Sequence, residues 1–264
     1  MEIRINNVSF SYNFVSKSEQ KNFNDINMKF HSGEITCVIS QSGGGKSTLL
    51  ELLAGLIKPV KGNIEYGIKN LKIGYVFKNP EQQFLKATVF KEWEFVIRYL
   101  DKKTKFKKIH DMLELLDLDV SYLDRNPFSL SNGEMKKVAI ASVLLTDCDV
   151  VLLDEPTVGL DDFNKNILVA LLRKLKIQKK IVIIASRDTD FIHNIADNIY
   201  VINKGKVIIE GNKYDVFTSD LLAKTSVVIP RIIDFSKKGR MKGANIGYFD
   251  DVLDLMKDIY RHIK

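Results

Sequence analysis

Short apolar runs and longer amphipathic segments alternate along most of the chain. The runs at 35–39, 150–153 and 181–185 have the length and composition of buried β-strands. A segment with helical periodicity at 163–176 separates the second run from the third. Because strands that alternate with helices pair in parallel through crossover connections, this pattern predicts an α/β fold with a mostly parallel sheet.

Further strands and one helix are predicted before residue 80. Alternating apolar and polar residues favour strands here, and turn residues divide them. The predicted elements are strands at 2–12, 63–66 and 71–77, two strands within 25–40 that join at Ser32 and Gly33, and a helix at 47–57 that Pro59 and Gly62 end. The first part of the chain is therefore expected to be rich in strands.

The pattern changes twice in the rest of the chain. Helical periodicity dominates from about residue 80 to residue 145 and interrupts the alternation of strands and helices. A strand–turn–strand hairpin is predicted at 198–211, and the character changes again after about residue 215. The last segment predicts a helix with one apolar face, formed by Val252, Leu255, Met256, Ile259 and Ile263. This helix either packs on its own domain or serves as a small dimerisation or docking element.

Composition narrows the classes of protein that fit this pattern. With 264 residues, 45% of them hydrophobic, the chain can fill the core of one large α/β domain with a small appendage. No apolar run approaches the ~18–20 residues that span a bilayer, and we expect no secretory signal. Cys37 and Cys148 are predicted to be buried thiols in a reducing compartment, and the scattered histidines predict no metal site.

The formal net charge of the chain is +7 at pH 7. Runs such as Lys102-Lys103 and Lys107-Lys108 fit an ordinary solvated surface. The other interpretation is attraction to anionic lipid headgroups or to nucleic acid. Charge alone does not choose between these interpretations.

The segment SQSGGGKST at 40–48 joins a predicted strand to a predicted helix. In this position the backbone N–H groups of a glycine-rich loop surround a phosphate, and the helix N-terminus adds a positive dipole. Lys46 is expected to reach the β- and γ-phosphates of a nucleotide, and Ser47 to bind Mg²⁺. Ser40 stands where the G-x-x-x-x-G-K-[ST] pattern usually has glycine, which is a mild departure. The predicted ATP-binding residues of this segment are Ser40, Ser42, Gly43, Gly44, Gly45, Lys46, Ser47 and Thr48.

Two acidic residues, Asp154 and Glu155, end the predicted strand at 150–153. Asp154 is expected to hold Mg²⁺ through water. Glu155 is expected to polarise an attacking water as general base. The weaker alternative is that two acidic residues merely close a strand.

A third motif, LSNGE at 130–134, lies between the glycine-rich loop and the acidic pair. With this order of motifs the sequence resembles the ATP-binding-cassette (ABC) ATPases, roughly over residues 1–215. The resemblance implies a P-loop NTPase (RecA-like) core with a mostly parallel sheet, an antiparallel β subdomain and an inserted helical subdomain at about 80–145. It leaves 216–264 as a small C-terminal extension, which could act in dimerisation.

In the family that the sequence resembles, LSGGQ contacts the γ-phosphate of ATP held by the opposite subunit of a head-to-tail dimer. The resemblance therefore implies contacts in trans from Ser131, Asn132, Gly133 and Glu134. Asn132 replaces a glycine, which is tolerable if the position needs a positive φ. Glu134 replaces a glutamine and adds a negative charge.

Other family positions are implied one by one. Tyr12 matches the aromatic residue that stacks on adenine, although it could be an ordinary strand tyrosine. Asp161, in GLD at 159–161, matches the loop that couples the two sites of the dimer. Lys78 and Arg187 stand where the family has the glutamine of the Q-loop and the switch histidine. With Glu155, these two form the predicted catalytic set.

The two replacements suggest a change in chemistry. Arg187 could pair with Glu155 and weaken it as a base, and added positive charge tightens ATP binding without necessarily helping the transition state. The hypothesis is that this site binds ATP well and hydrolyses it poorly. The competing view is that Arg187 acts as an arginine finger in cis.

The segments SFSY, VFKNPEQQF and MKKVAIASVLL look like the energy-coupling-factor (ECF) branch of importers. This likeness implies an ATPase subunit that uses ATP and Mg²⁺, lies peripherally on the cytoplasmic face of the cell membrane and drives uptake of a vitamin or a metal ion. Its expected partners are a second ABC ATPase in a heterodimer, a transmembrane coupling subunit and a substrate-binding membrane subunit, and no nucleic acid. The alternatives are an ATP-gated structural subunit with negligible turnover, or a soluble ABC protein without a transport role.

Overall fold

Strands and helices alternate as the sequence pattern predicts. The computed structural model describes residues 1–12 and 23–262. Its strands are β1 (Glu2–Phe10), β2 (Phe23–His31), β3 (Ile35–Ser40), β4 (Lys61–Tyr66), β5 (Ile73–Val76), β6 (Val150–Asp154), β7 (Ile181–Ala185), β8 (Asn198–Asn203) and β9 (Lys206–Gly211). Its α-helices are α1 (Lys46–Leu53), α2 (Val89–Val96), α3 (Lys102–Leu115), α4 (Asn132–Leu144), α5 (Asp162–Ile177), α6 (Thr189–Ile195), α7 (Lys213–Thr218), α8 (Arg231–Met241) and α9 (Val252–His262).

The central sheet has the strand order β5-β6-β7-β3-β8-β9. Its first five strands are parallel, and β9 pairs antiparallel with β8. Every residue of β3, β6 and β7 is buried, as expected for parallel strands covered on both faces. The prediction of an α/β fold with a mostly parallel sheet is confirmed.

A second, antiparallel sheet has the order β2-β1-β4. Apolar residues of its strands, such as Ile3 and Phe30, share a buried cluster with Leu49 of α1 and Ile183 of β7. The antiparallel sheet and α1 therefore cover one face of the central sheet. Helices α4 and α5 contribute to the cluster on the opposite side.

Helix α1 is shorter than the sequence predicted. The expected end near residue 57 is wrong, because α1 ends at Leu53. Gly55 adopts the left-handed conformation (φ +72°), and its N–H donates to Leu52 O. The N–H of Leu56 donates to Glu51 O, which completes a Schellman motif. The helix is therefore ended by Gly55, before Pro59 is reached.

Helices α2, α3 and α4 occupy the segment where helical periodicity was predicted. Trp93 of α2 is fully buried, and its indole N–H donates to Val138 O of α4 at 3.2 Å. Within the described part of the chain, every helix is too short or too polar to cross a lipid bilayer.

Helix α9 only partly covers its apolar face against the rest of the chain. Leu255 is buried, whereas Val252 and Met256 are exposed. Ile263, which the sequence placed on the same face, lies outside the described residues. Both interpretations of this helix, packing within the chain and docking, therefore stay open.

Candidate active site

Four strands of the central sheet point their carboxyl ends at one cavity of about 240 Å³. Open α/β sheets usually bind ligands at this edge. The glycine-rich loop follows β3, the acidic pair ends β6, Lys78 follows β5 and Arg187 follows β7. The residues that line the cavity are Ser42, Gly43, Gly44, Gly45, Lys46, Ser47, Thr48, Lys78, Asp154, Glu155 and Arg187. The tertiary structure thus brings together residues that were predicted from four separate segments.

The loop that leads into α1 has the backbone of a phosphate cradle. Gly43 and Gly45 have φ values of +75° and +92°, which favour glycine. A Cβ atom on Gly44 would lie 2.5 Å from Ser40 Oγ, so this position has no room for a side chain. The buried Ser40 hydroxyl donates to Gln41 O, and the lining residues do not include Ser40. Ser40 therefore lies beneath the loop rather than at the cavity wall, and its predicted contact with ATP stays a prediction.

Lys46 is the most enclosed cation of the cavity, with a side chain that is 8% exposed. Its Nζ lies 3.5 Å from Glu155 Oε1 and donates to Ser40 O at 3.3 Å. Burial lowers the pKa of Lys46, and Arg187 lowers it further, while Glu155 raises it. The site therefore holds a positive charge that an incoming phosphate would help to stabilise.

Glu155 is held by two cations and one backbone donor. Arg187 Nε lies 3.3 Å from Oε1 of this carboxylate, and the Arg187 backbone N–H donates to Oε2 at 3.1 Å. Glu155 is buried and has a φ of +45°, a conformation that side chains rarely adopt and that clusters at functional sites. The pairing of Arg187 with Glu155 that the sequence suggested is present.

Asp154 is buried beside the glycine-rich loop. Burial raises the pKa of its carboxyl, and a hydrogen bond from Ser47 opposes that rise. None of the described residues donates a hydrogen bond to Asp154 Oδ1. An unpaired carboxylate oxygen next to a hydroxyl provides the kind of oxygen ligands that Mg²⁺ prefers, so these two residues fit a magnesium site.

Tyr12 lies beside the cavity rather than on its wall. Its hydroxyl donates to Glu51 Oε2 at 2.9 Å and lies 3.1 Å from Thr48 Oγ1. The Tyr12 ring packs edge-on against Phe10, and the residue is 57% exposed. The ring is therefore anchored next to α1 with a surface free to receive a planar group, so adenine stacking stays a prediction.

The LSNGE motif forms the start of α4. Ser131 caps the helix, because its Oγ accepts from the Glu134 N–H while the Glu134 carboxylate accepts from the Ser131 N–H at 2.8 Å. Tyr122 also donates its hydroxyl proton to Glu134. Glu134 therefore completes a capping box, which gives its negative charge a structural role.

The backbone of Asn132 does not have a positive φ. Asn132 begins α4, so the condition under which asparagine was considered a tolerable replacement for glycine is not met. The tight position is Gly133, where a Cβ atom would lie 2.7 Å from Gly159 O. The motif thus packs directly on the loop that ends at Asp161.

Asp161 caps α5 by accepting from the Asn164 N–H at 2.8 Å. Its dimer-coupling role stays a prediction.

Sequence reasoning missed two residues that hold the backbone at Lys78. Lys136 donates to Lys78 O at 2.7 Å, and Gln83 accepts from the Phe77 N–H at 3.3 Å. The available signal was a lysine within the apolar helix that begins at Asn132, which is unusual for a charged residue. Lys78 itself is exposed, with its side chain at the cavity wall.

Comparisons with known proteins agree with these motifs. The profile of a family described as ABC transporter matches residues 23–158. The energy-coupling factor transporter ATP-binding protein EcfA3 of Oenococcus oeni is 32% identical over 260 residues, covering 92% of this chain and 90% of that protein. EcfA2 of Streptococcus sanguinis is 31% identical over 276 residues, covering 98% and 99%. The solved structure of cbiO1 from Clostridium perfringens, described as part of the ABC transporter complex cbiONQ, is 29% identical with a TM-score of 0.71, covering 89% of this chain and 98% of that chain.

Proposed function

This chain belongs to the ABC transporter family and is an ATP-binding subunit of the energy-coupling-factor type, and from that premise we propose that it works in a heterodimer with a second ABC ATPase. In this proposal its own site binds ATP and hydrolyses it slowly. Its LSNGE motif completes the site of the partner ATPase. The observation that carries the proposal is the ion pair between Arg187 and Glu155.

The ion pair opposes the role of Glu155 as a general base. A base must accept a hydrogen bond from the attacking water, and its efficiency depends on a free carboxylate oxygen at the right position. Oε1 faces both Arg187 and Lys46, and Oε2 accepts from a backbone N–H. Both carboxylate oxygens of Glu155 are therefore already engaged, so a water molecule has to compete with these groups for a place as donor to the carboxylate. The arrangement therefore supports tight nucleotide binding more than fast hydrolysis.

The remaining groups of the cavity suit MgATP. Lys46 and the N–H groups of the glycine-rich loop would bind the phosphates, and Lys78 and Arg187 would add positive charge at the terminal phosphate. Ser47 and Asp154 would hold Mg²⁺, which neutralises phosphate charge when it is bound. Tyr12 would stack on the adenine.

The need for a second ATPase follows from the same substitutions. In a homodimer both composite sites would contain Lys78 and Arg187, and in each site Glu155 would be paired with Arg187. A partner with a free catalytic glutamate would supply one competent site, and Ser131 with Gly133 of this chain would contact its γ-phosphate. A stable homodimer of this chain that supports transport with the membrane subunits would contradict the proposal.

The membrane partners are proposed from the ECF relatives. A transmembrane coupling subunit would dock beside the segment that follows Lys78, where Leu85 is 72% exposed and where Phe128, which packs edge-on against Phe84, is 57% exposed. A substrate-binding membrane subunit would select the vitamin or metal ion. The chain would then lie peripherally on the cytoplasmic face of the cell membrane. Recovery of the chain with membranes only when both membrane subunits are co-expressed is the expected result.

Steady-state MgATP hydrolysis by the purified chain, measured beside ATP binding, tests the proposed activity of this site. We expect ATP binding with turnover near the background, and no further loss in Glu155→Gln. Robust turnover that Glu155→Gln abolishes would contradict the proposal. That result would instead support Arg187 as an arginine finger, a role for which its half-exposed side chain has the freedom.

A further inference from the structure

Lys136 is a buried lysine on α4 whose ammonium group contacts the main chain of Phe77 and Lys78, next to the nucleotide cavity. The residue is 2% exposed, and its Nζ donates to Phe77 O at 3.1 Å and to Lys78 O at 2.7 Å. Burial lowers the pKa of Lys136 to about 8, although the charges of Asp154 and Glu81 raise it. Burying an ammonium group is costly unless strong hydrogen bonds compensate, so the two hydrogen bonds to main-chain carbonyls offset part of the cost of burying Lys136.

Gln83 holds the same turn from its other side. The Phe77 N–H donates to Gln83 Oε1 at 3.3 Å, and Gln83 Nε2 donates to Ala139 O of α4 at 2.9 Å. Both main-chain polar groups of Phe77 are therefore tied to α4, the carbonyl through Lys136 and the N–H through Gln83. We call these two side chains the α4 clamp.

The clamp acts where the sheet gives little support. Strand β5 is an edge strand that ends at Val76, so the turn that carries Lys78 has a neighbouring strand on one side only. The Lys78 side chain nevertheless lies at the wall of the nucleotide cavity. A fixed main chain at Phe77 and Lys78 limits the directions in which that side chain can extend.

We propose that Lys136 and Gln83 are positioning residues that hold Lys78 at the phosphate end of the cavity, so that the affinity for ATP depends on α4. The inference rests on the proposed contact between Lys78 and the terminal phosphate of ATP. The two side chains that place Lys78 are themselves outside the lining of the cavity. The same helix begins at the LSNGE motif, so one rigid element joins this nucleotide site to the surface offered to the partner ATPase.

A double-mutant cycle on the whole chain tests the clamp, with the dissociation constants for ATP and ADP measured by calorimetry. We expect Lys136→Met to weaken ATP binding about tenfold, the usual size for loss of one hydrogen bond to a charged group. ADP lacks the terminal phosphate, so its affinity should change less than about twofold. The double variant of Lys136→Met and Lys78→Ala should bind ATP no more weakly than Lys78→Ala alone, because nothing is left to position.

Lys137→Met is the matched control. Lys137 is the next residue of α4, is also buried, and donates to two main-chain carbonyls, those of Leu116 and Asp117 beyond the end of α3. Its loss should leave the ratio of ATP to ADP affinity unchanged. Lys136→Arg should restore most of the ATP affinity, since a guanidinium group can donate to both carbonyls. Gln83→Leu removes the other half of the clamp and should reproduce the selective loss for ATP, which provides the test if Lys136→Met does not fold.

Four outcomes would overturn the proposal. Equal losses of ATP and ADP affinity in Lys136→Met would indicate general loosening of the site. Additive effects of Lys136→Met and Lys78→Ala would show that Lys136 does not act through Lys78. An unchanged ATP affinity in both Lys136→Met and Gln83→Leu would show that the α4 clamp does not position Lys78, while leaving the proposed function intact. An unchanged ATP affinity in Lys78→Ala would contradict the proposed phosphate contact as well.

Discussion

The nucleotide cavity and the start of α4 both depart from the family pattern, but the departures have different physical consequences. At α4, Glu134 joins Ser131 in a capping box and Asn132 fits an ordinary helical position. At the cavity, Arg187 adds a cation 3.3 Å from the carboxylate of Glu155. Glu134 takes part in a helix cap, so this substitution preserves the start of α4. Arg187 occupies an oxygen of the proposed general base, so this substitution affects the catalytic group itself. We therefore expect this chain to complete the site of a partner more effectively than it hydrolyses its own ATP.

The largest expected effect is on ATP turnover, and it compares a change at the start of α4 with a change in the nucleotide cavity. In the assembled complex, Ser131→Ala should lower ATP turnover about 10²-fold, since loss of a preorganised donor to transition-state charge typically costs that much. Glu155→Gln should change the turnover of the complex less than about twofold. Steady-state hydrolysis by the reconstituted transporter measures both.

Ser131→Ala also removes a helix cap, so the loss of the cap needs its own control. Asp101→Ala removes the cap of α3, where Asp101 Oδ1 accepts from the Thr104 N–H at 3.0 Å. Both changes remove a helix cap and should lower the stability of the chain, but only Ser131→Ala should lower turnover. Similar turnover in Ser131→Ala and wild type, with a large loss in Glu155→Gln, would reverse the comparison.

Arg187→His should release the Glu155 side chain and restore the family's usual residue. We expect turnover by the chain's own site to rise at least about tenfold, within the range that a positioned general base provides. Single-turnover hydrolysis by the isolated chain measures this rise. The gain should disappear when Glu155→Gln is added.

Arg173→His is the control for Arg187→His. Arg173 is exposed on α5 and donates to Asn194 Oδ1 at 3.1 Å, away from the residues that line the cavity. It should leave turnover unchanged. If Arg187→His lowers turnover instead, Arg187 assists the transition state and the cavity is a working variant of the family site.

The capping box predicts a smaller effect on stability. Glu134→Ala should lower the free energy of unfolding by about 1 kcal/mol, because the Ser131 N–H and the Tyr122 hydroxyl lose their acceptor. Denaturant unfolding of the whole chain measures it, with Glu114→Ala on the exposed side of α3 as the control. An equal loss in both variants would remove the special role of Glu134.

The stabilisation by Glu134 should also depend on pH. The hydrogen bonds from Tyr122 and Ser131 lower the pKa of Glu134 below its usual value of 4.5. A carboxylate whose pKa is lowered by folding contributes fully above the unfolded value, and its contribution is lost as the pH falls through the folded value. The difference between wild type and Glu134→Ala should therefore be constant near pH 7 and narrow below pH 4.5. A difference that stays constant down to pH 3 would contradict this assignment.

Ser40→Gly should have the smallest effect. Because Ser40 lies beneath the loop and outside the cavity lining, we expect the dissociation constant for ATP to change less than about twofold. Calorimetric titration with ATP measures it, beside Lys46→Ala, which should abolish binding. A tenfold loss in Ser40→Gly would place the serine hydroxyl in contact with the nucleotide.

Local sequence predicted the parts of the site that the backbone builds by itself. Glycines at 43–45 between a buried strand and a helix indicate a phosphate loop, because the positive φ values of Gly43 and Gly45 favour glycine and Gly44 has no room for a side chain. Asp154 and Glu155 directly follow a run of apolar residues, so their place at the end of a strand was readable. The end of α1 was misjudged because Gly55 and Pro59 are both plausible stops, and the left-handed conformation of Gly55 is decided locally by its hydrogen bonds.

The sequence by itself determined the fold class, the glycine-rich loop, the acidic pair and the LSNGE motif, since each depends on residues close together in the chain. The sequence left open whether Arg187 pairs with Glu155 and did not indicate the contact of Lys136, and the tertiary structure decided both. Arg187 contacts Glu155 across 32 positions, and Lys136 contacts the carbonyl of Lys78 across 58. Hydrophobic periodicity fixes which side of a strand or helix is buried, but it carries no information about the partner of a buried charge. For Arg187 and Glu155 the contact is set by the order of the parallel strands, which places the ends of β6 and β7 side by side, and for Lys136 it is set by the packing of α4 against β5.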